Sequence, residues 1–183
     1  MEQKFRFPKD LYADVRIEES DSLWLTIKNG DMENDGEFSE AGAMIRVYDG
    51  KMWYTATTND LGEIQGELDA LATLATPNPG ILEDPEIKAL EVNRDERMRY
   101  EGETDIRKIP REKWKGLIDD YVEKLKADHI PEILICGVHA GAKHVVKQFY
   151  SSKGAAIRWD DQNCNLNLTV NSFTVRARGD RKS

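Results

Sequence analysis

Histidine and cysteine side chains are the groups in this sequence best suited to bind a metal or attack a substrate. Two of the three histidines, His139 and His144, lie five residues apart. A helix brings two imidazoles to one metal when they are four residues apart, with a glutamate after the first, and that pattern is absent here. On a strand, residues five apart point to opposite faces. We therefore predict surface or hydrogen-bonded structural roles for both, with metal ligation as the less favoured alternative.

The other candidates for chemistry also favour structural roles. His129 follows a predicted helix, where a cationic side chain complements the helix dipole. Cys136 lies in an apolar run and is expected to be a small buried side chain, and two cysteines define no disulfide framework. Adjacent acidic residues such as Glu18 and Glu19 are typical of solvated faces. The sequence thus predicts no catalytic residue and no metal ligand in this chain.

Composition narrows the class of protein and its partners. The 183 residues are 39% hydrophobic and 33% charged, with a net charge of −8. A chain of this size predicts one domain. The acidic balance argues against a nucleic-acid groove, which needs a basic patch. The sequence shows neither a secretory signal nor an apolar run near the roughly 20 residues of a membrane span. We therefore expect a cytoplasmic protein with no nucleic-acid or membrane partner.

A hairpin is the clearest element in the chain. The dipeptide Asp49-Gly50 lies between two alternating runs and favours a two-residue type I′ turn. Such a turn places Val47 opposite Met52 and Arg46 opposite Trp53, where the guanidinium can lie over the indole. The predicted core face consists of Ile45, Val47, Met52 and Tyr54.

Further strands and a helix surround this hairpin. Asn29-Gly30 predicts a second hairpin upstream, and residues 13–20 alternate apolar and charged side chains as a first strand with one wet face. We expect four or five strands between residues 12 and 58. A helix capped by Asn59 or Asp60 follows and ends before Pro77. Its apolar stripe is predicted to pack across the sheet, and consists of Ile64, Leu68, Leu71, Ala72 and Ala75.

The second half adds another helix and more strands. Pro110 begins a helix that ends before Pro131, with one face formed by Trp114, Leu117, Ile118, Tyr121, Val122 and Leu125. Strands are predicted over 133–139, 143–150, 155–160 and 166–178, separated by turns that include Lys153-Gly154 and 161–163. Residues 80–109 are interpreted as a charged surface excursion with a short helix near 85–90; a mobile partner-contacting arm is the alternative. The fold class is α+β: an antiparallel meander plus further strands in a mixed sheet, with two main helices packed on it.

The order of these segments resembles the N-terminal domain of the TldD/PmbA family. The resemblance is carried by Ala13-Asp-Val-Arg-Ile17, Ile27-Lys-Asn-Gly-Asp-Met-Glu33, Gly42-x-x-Ile-Arg-Val-Tyr-Asp-Gly50, Thr55-Ala-Thr-Thr-Asn-Asp-Leu61 and the Ala/Leu-rich helix that follows. It is clearest over residues 12–76 and looser over 110–178. These proteins were first called modulators of DNA gyrase, and they are regarded as zinc-dependent peptidases that mature peptide antibiotics and degrade unfolded peptides or an antitoxin.

The resemblance implies a role for this chain, but the chain lacks the catalytic motif of the family. Active family members are much longer and carry a His-Glu-x-x-x-His or His-Glu-x-x-x-Asp helix in a separate C-terminal domain, and this chain has no His-Glu dipeptide. The resemblance therefore implies a single N-terminal domain over residues 1–183 that walls a substrate chamber and helps form a homo- or heterodimer. Zinc would belong to the C-terminal domain, which is not present here.

A self-contained peptide- or protein-binding module is the alternative. It would keep the sheet, lack enzymatic activity and capture peptides at an exposed groove or edge strand. The candidate residues of a peptide-contact surface are Arg46, Tyr48 and Trp53. For Trp53, packing beneath another element is the competing interpretation.

Overall fold

A six-stranded mixed sheet organises the part of the chain that this computed structural model describes, residues 4–28, 31–127 and 133–172. The strands are β1 (Tyr12–Lys28), β2 (Asp31–Tyr48), β3 (Trp53–Thr58), β4 (Arg94–Arg97), β5 (Ile133–Ser151) and β6 (Ala156–Ser172). The helices are α1 (Ile64–Leu74), α2 (Pro85–Lys88) and α3 (Arg111–Ala127). Across the sheet the order is β3-β2-β1-β5-β6-β4. The predicted α+β class, with a meander, further strands and two main helices, is confirmed.

The strands are fewer and longer than the sequence predicts. Residues 12–58 form three strands instead of four or five, and β5 and β6 each run through a predicted break. At one of these breaks the Gln162 side chain binds the main chain of a neighbouring segment, accepting from Ile106 N and donating to Thr104 O. Polar residues that look like a turn in the sequence therefore serve as partners within a continuous strand.

The loop between β2 and β3 has four residues, which corrects the predicted hairpin register. Tyr48 pairs with Trp53 and Val47 with Tyr54, so Met52 lies in the loop and is 60% exposed. The Asp49 carboxylate accepts hydrogen bonds from Lys51 N at 2.8 Å and Met52 N at 2.9 Å. These bonds stabilise the longer loop in place of a type I′ turn. Because the register differs by two residues, Ile45 and Val47 keep the predicted core face.

The described chain divides into two compact units, of which the first comprises residues within 1–21, 38–107 and 143–162. Its core lies between α1 and one face of the sheet. Ile64 and Leu68 of α1 are fully buried there, as predicted. Their sheet partners in this cluster include Ala13, Val15, Ile17, Ala43, Ile45, Val47, Tyr150 and Ala156. The predicted caps are wrong, because Glu63 occupies the N-cap position and Asp60 instead accepts a hydrogen bond from Gly62 N.

The opposite face of the first unit is covered only in part. Ile81 and Ile87 pack there against Tyr12 and Tyr48 in a separate apolar cluster. Lys153, in the turn between β5 and β6, donates to the carbonyl oxygens of residues 87, 88 and 90. These bonds satisfy carbonyl groups at the end of α2, a short helix that the sequence predicts.

Residues 80–109 also contribute an unpredicted strand. β4 pairs in parallel with β6, with Arg94 opposite Ala156 and Arg97 opposite Trp159. The chain after β4 is held by the buried Asp160 carboxylate, which accepts from Arg99 N at 2.7 Å and Tyr100 N at 3.0 Å. The sequence of β4 has no apolar periodicity from which the strand could be predicted. The segment is held in place by its contacts with β6.

The second unit comprises residues within 22–37, 108–142 and 163–183. Trp114 and Ile118 of α3 are buried, whereas Leu117 is 43% exposed and Tyr121 36% exposed, so the predicted apolar face is only partly covered. Arg111, at the start of α3, pairs with Asp35 at 2.8 Å. The predicted Asn29-Gly30 turn, His129, the side chain of Cys136 and the predicted strand beyond 172 lie outside the described residues. No helix among the described residues is both long enough and apolar enough to cross a membrane.

Candidate functional site

The face of the first unit's sheet that points away from α1 carries the candidate site. Side chains alternate along a strand, so the residues between the core positions of β1 and β2 lie on this face. A groove of about 680 Å³ opens there. Its lining comes from five strands and includes Arg16, Met44, Thr57, Lys147, Phe149 and Trp159. The groove therefore combines an apolar floor with a rim of charged side chains.

The three candidate contact residues, Arg46, Tyr48 and Trp53, do lie together on this face. The Arg46 guanidinium is 4.6 Å from the centroid of the Trp53 ring. Tyr48 stacks on the same indole, with ring centroids 4.7 Å apart and an angle of 23° between the planes. Arg46 reaches Trp53 diagonally, because its direct partner in the ladder is Thr55.

Asp14 fixes the position of Arg46 and was not predicted as a site residue. Its fully buried carboxylate accepts from Arg46 Nε at 3.0 Å and from Arg46 Nη2 at 2.6 Å. The hydrogen bond to Asp14 raises the pKa of Arg46 despite the opposing effect of burial. Burial and the Asp14 charge raise the pKa of Tyr12. The sequence places Asp14 on a solvated face, and its one signal is an opposite charge at Arg46 on the neighbouring strand.

Trp53 is partly engaged in packing. Its indole contacts Tyr12 edge to face at 5.8 Å, in addition to Tyr48 and Arg46, and remains 38% exposed. The cluster therefore forms a packed wall with a partly exposed indole, and its three residues lie outside the lining of the groove.

The rim of the groove contains ion pairs and a cation over an aromatic ring. Lys147 lies 3.8 Å from Glu18, and the Arg16 guanidinium lies 5.8 Å from the centroid of Phe149. Ser20, which is buried, donates to Glu40 at 3.2 Å. Both signs of charge are thus present in the lining, so the groove offers hydrogen-bond donors and acceptors to a backbone laid across it.

A second pocket, of about 650 Å³, lies beside β4. It is lined by three arginines, Arg94, Arg97 and Arg99, together with Tyr100 and Trp159. Ile157 and Trp159 line both pockets.

The histidines have structural partners, in keeping with the sequence prediction. His144 is buried with Nε2 3.4 Å from the Asp160 carboxylate, and His139 Nδ1 lies 2.9 Å from Thr26 Oγ1. Although burial opposes it, the backbone N–H groups of Arg99 and Tyr100 lower the pKa of Asp160. Among residues 4–28, 31–127 and 133–172, no group of three or more His, Cys, Asp or Glu side chains is arranged to hold a metal ion.

Comparisons with known proteins agree on one domain type. Residues 13–75 match the model of PmbA/TldA metallopeptidase domain 1. No curated protein matches the chain at the significance threshold.

Solved structures share this fold over almost the whole chain. A proposed modulator of a DNA gyrase from Thermotoga maritima superposes on 91% of the chain with a TM-score of 0.64 at 13% identity. TldE from Thermococcus kodakarensis covers 90% with a TM-score of 0.60 at 12% identity. A proposed modulator of DNA gyrase from Bacteroides thetaiotaomicron covers 92% with a TM-score of 0.53 at 18% identity. The chain spans only 37%, 37% and 38% of these three proteins.

Proposed function

We propose that this chain, whose residues 13–75 match PmbA/TldA metallopeptidase domain 1, is the non-catalytic N-terminal domain of a TldD/PmbA-family metallopeptidase acting on small or unfolded peptides. The observation that supports this role is the groove on the open sheet face. Its floor contains Met44 and Phe149, and its rim carries both signs of charge. An extended peptide of variable sequence needs both an apolar surface and charged groups, because its backbone is polar and its side chains are often apolar.

In this proposal the domain positions the peptide and shields it from water, and it contributes no catalytic residue. The open face walls one side of a substrate chamber, and the wall formed by Arg46, Tyr48 and Trp53 keeps its shape through Asp14. A partner subunit of the same family would complete the chamber in a homo- or heterodimer. Holding the peptide away from bulk water strengthens polar contacts made to it.

Zinc, which the family implies, does not fit the described residues. They contain no cluster of metal-ligating side chains, and the two histidines they include are engaged by Thr26 and Asp160. In this proposal zinc is bound by the C-terminal domain of the full-length enzyme, and the residues of this domain position and shield the peptide.

Peptide binding to the groove is a direct test. We expect an unstructured peptide labelled with a fluorophore to bind the purified chain, and Met44→Glu, in the groove, to weaken its binding at least about fivefold. Leu74→Glu is the matched control, because Leu74 is 64% exposed on α1 and does not line the groove. Equal effects of the two substitutions on affinity would count against the groove.

Two further measurements test the metallopeptidase context. We expect elemental analysis of the purified chain to find no stoichiometric zinc, and the chain alone to cleave no peptide. We also expect the coding sequence to continue past the Ser183 codon into a His-Glu-x-x-x-His or related motif. A stop codon at that point would instead favour the free-standing peptide-binding module.

A further inference from the structure

We propose that β3 is the strand to which an extended peptide adds through main-chain hydrogen bonds, an inference that rests on the proposed peptide-binding function. β3 lies at one edge of the six-stranded sheet, and among the described strands it pairs with β2 alone. The side of β3 that faces away from β2 is therefore an open edge in this part of the chain. Such an edge is a template on which a further strand can form.

The hydrogen-bond pattern of the hairpin identifies the groups of β3 that face outward. Asp49 N donates to Met52 O at 3.4 Å across the loop. Because bonded and non-bonded pairs alternate along an antiparallel ladder, every second residue of β3 turns its N–H and C=O groups away from β2. Counted from this bond along the observed register, these residues are Trp53, Thr55 and Thr57. Each of them offers one donor and one acceptor at the edge.

The same three residues of β3 present their side chains on the open face of the sheet. They alternate with Tyr54 and Ala56, which pack against the core on the other face, and all three are exposed. Thr57 lines the groove together with Met44, its partner in the ladder. A peptide strand added to β3 therefore places every second side chain beside the groove.

The two edges of the sheet differ in how well they accept a further strand. β4, at the other edge, consists of the four charged residues Arg94-Asp-Glu-Arg97. Charged side chains on an edge strand oppose pairing with another strand. β3 is six residues long and contains neither a charged residue nor a proline. Of the two edges, β3 therefore has the composition that permits strand addition.

The size of the β3 edge favours a short peptide over a second copy of the chain. Six residues of strand form a strip about 20 Å long and about 5 Å wide. This strip is small compared with the roughly 1,200 Å² that a stable protein–protein interface buries. A peptide in the extended conformation presents donors and acceptors at the spacing of β3 whatever its sequence. The edge thus suits unfolded peptides, which share a backbone and differ in side chains.

The test on the ligand uses a labelled eight-residue unstructured peptide and the full 183-residue chain, with fluorescence anisotropy as the measure of affinity. In one version of the peptide, the two central residues are N-methylated. Because every second N–H group of an added strand faces β3, one of the two methyl groups faces it in either register. We expect this version to bind at least about tenfold more weakly than the unmethylated peptide. The control carries both methyl groups at its N-terminal end and keeps six unmethylated residues, the length of β3, so it is expected to bind like the unmethylated peptide.

A proline substitution tests the same contact from the protein side. Thr55→Pro removes an outward-facing N–H group and no bond to β2, and it is expected to weaken binding of the unmethylated peptide at least about fivefold. Glu96→Pro is the matched control at the opposite edge, because Glu96 N bonds to the Asp95 carboxylate at 2.9 Å and Glu96 lines neither pocket. Circular dichroism establishes that each variant is folded. If Thr55→Pro unfolds the protein, the methylated peptides still decide the question with the unchanged chain.

Each alternative result is distinguishable. Equal affinity for the unmethylated and the centrally methylated peptide would overturn the edge site and leave the peptide-binding function intact. A chain that is dimeric without peptide and becomes monomeric with Thr55→Pro, measured by analytical ultracentrifugation, would show that a second copy occupies the edge, which also overturns the inference. Absence of binding by any of these peptides would contradict the proposed function itself.

Discussion

Arg46 on β2 makes two hydrogen bonds to the fully buried carboxylate of Asp14 on the adjacent strand β1. The guanidinium is at the same time within 4.6 Å of the Trp53 ring centroid. One side chain thus neutralises a buried charge and supports the aromatic pair of Tyr48 and Trp53, which links the stability of the sheet to the shape of its open face.

Removal of Arg46 is expected to destabilise the protein strongly. Arg46→Met leaves the Asp14 carboxylate buried, with the Tyr12 hydroxyl as a hydrogen-bond partner and the Arg16 guanidinium at 3.9 Å. We expect a loss of about 3 kcal/mol in the free energy of unfolding, measured in urea. The double variant Asp14→Asn, Arg46→Met no longer buries an unpaired charge and is expected to be more stable than Arg46→Met alone. A double variant less stable than the single one would show that charge burial is not the cause.

The Asp49 carboxylate is expected to be the main determinant of the β2–β3 loop. It accepts from Lys51 N, Met52 N and Thr76 N, and from the Tyr54 hydroxyl. Asp49→Ala leaves these donors unpaired and is expected to cost about 2 kcal/mol in unfolding free energy. Asp49→Asn retains an acceptor oxygen and is expected to cost less. Thermal unfolding of the two variants measures the difference, and equal losses would contradict the role of the hydrogen bonds.

Asp105 is expected to make stability depend on acidic pH. The Arg107 side chain, through its hydrogen bonds, lowers the pKa of Asp105 from 3.8 to about 2. A carboxyl group whose pKa is depressed in the folded state stabilises that state above the unfolded pKa. This contribution is therefore present above about pH 4 and disappears as the pH falls toward 2, with a total of about 2 kcal/mol.

Unfolding free energies of the wild type and Asp105→Asn measured between pH 5 and about pH 2 test this dependence. The variant is expected to be less stable at pH 5 and to have a shallower slope below pH 4. Parallel curves for the two proteins would exclude Asp105 as the titrating group.

Two glycines in the second unit are expected to respond in opposite ways to the same substitution. A Cβ atom at Gly36 would collide with the Trp24 indole, so Gly36→Ala is expected to cost about 1–3 kcal/mol. Gly116 lies within α3 and a Cβ atom there meets nothing within 4 Å. Gly116→Ala is therefore expected to raise the unfolding free energy by up to about 1 kcal/mol. Denaturation in urea compares the two variants, and a loss at Gly116 would contradict the assignment of open space.

Local patterns predicted the elements of the fold better than their lengths and pairing. The stripe of α1 and the core positions Ile45 and Val47 follow from periodicity, and both are buried as expected. The register of the β2–β3 loop does not, because it depends on the hydrogen bonds that the Asp49 carboxylate accepts from Lys51 N and Met52 N within the loop and from Thr76 N, 27 residues further along the chain. The break predicted at residues 161–163 of β6 also fails because of distant contacts, since the Gln162 side chain hydrogen-bonds to residues 104 and 106.

The candidate site shows the same division between local and distant information. Arg46, Tyr48 and Trp53 are neighbours on one hairpin, so the sequence could place them together even with an incorrect register. Asp14 and the pocket beside β4 could not be found in this way. They depend on which residues of β1 and β2, and of β4 and β6, come to lie side by side.

The turn between β5 and β6 has a consequence for the order in which the chain folds. Ser152 accepts from Ala13 N at 3.0 Å through its hydroxyl and donates its own N–H to Ala13 O at 2.8 Å, so the start of β1 is bound by a residue 139 positions later. Residues 13–75, although they match a family model by themselves, therefore leave the ribosome before their partner strand β5 exists. Closing so long a segment is entropically costly and slow. During synthesis the β1–β3 region therefore has an unpaired edge at β1 until β5 has been made. A chaperone that shields this edge is expected to raise the yield of the folded protein.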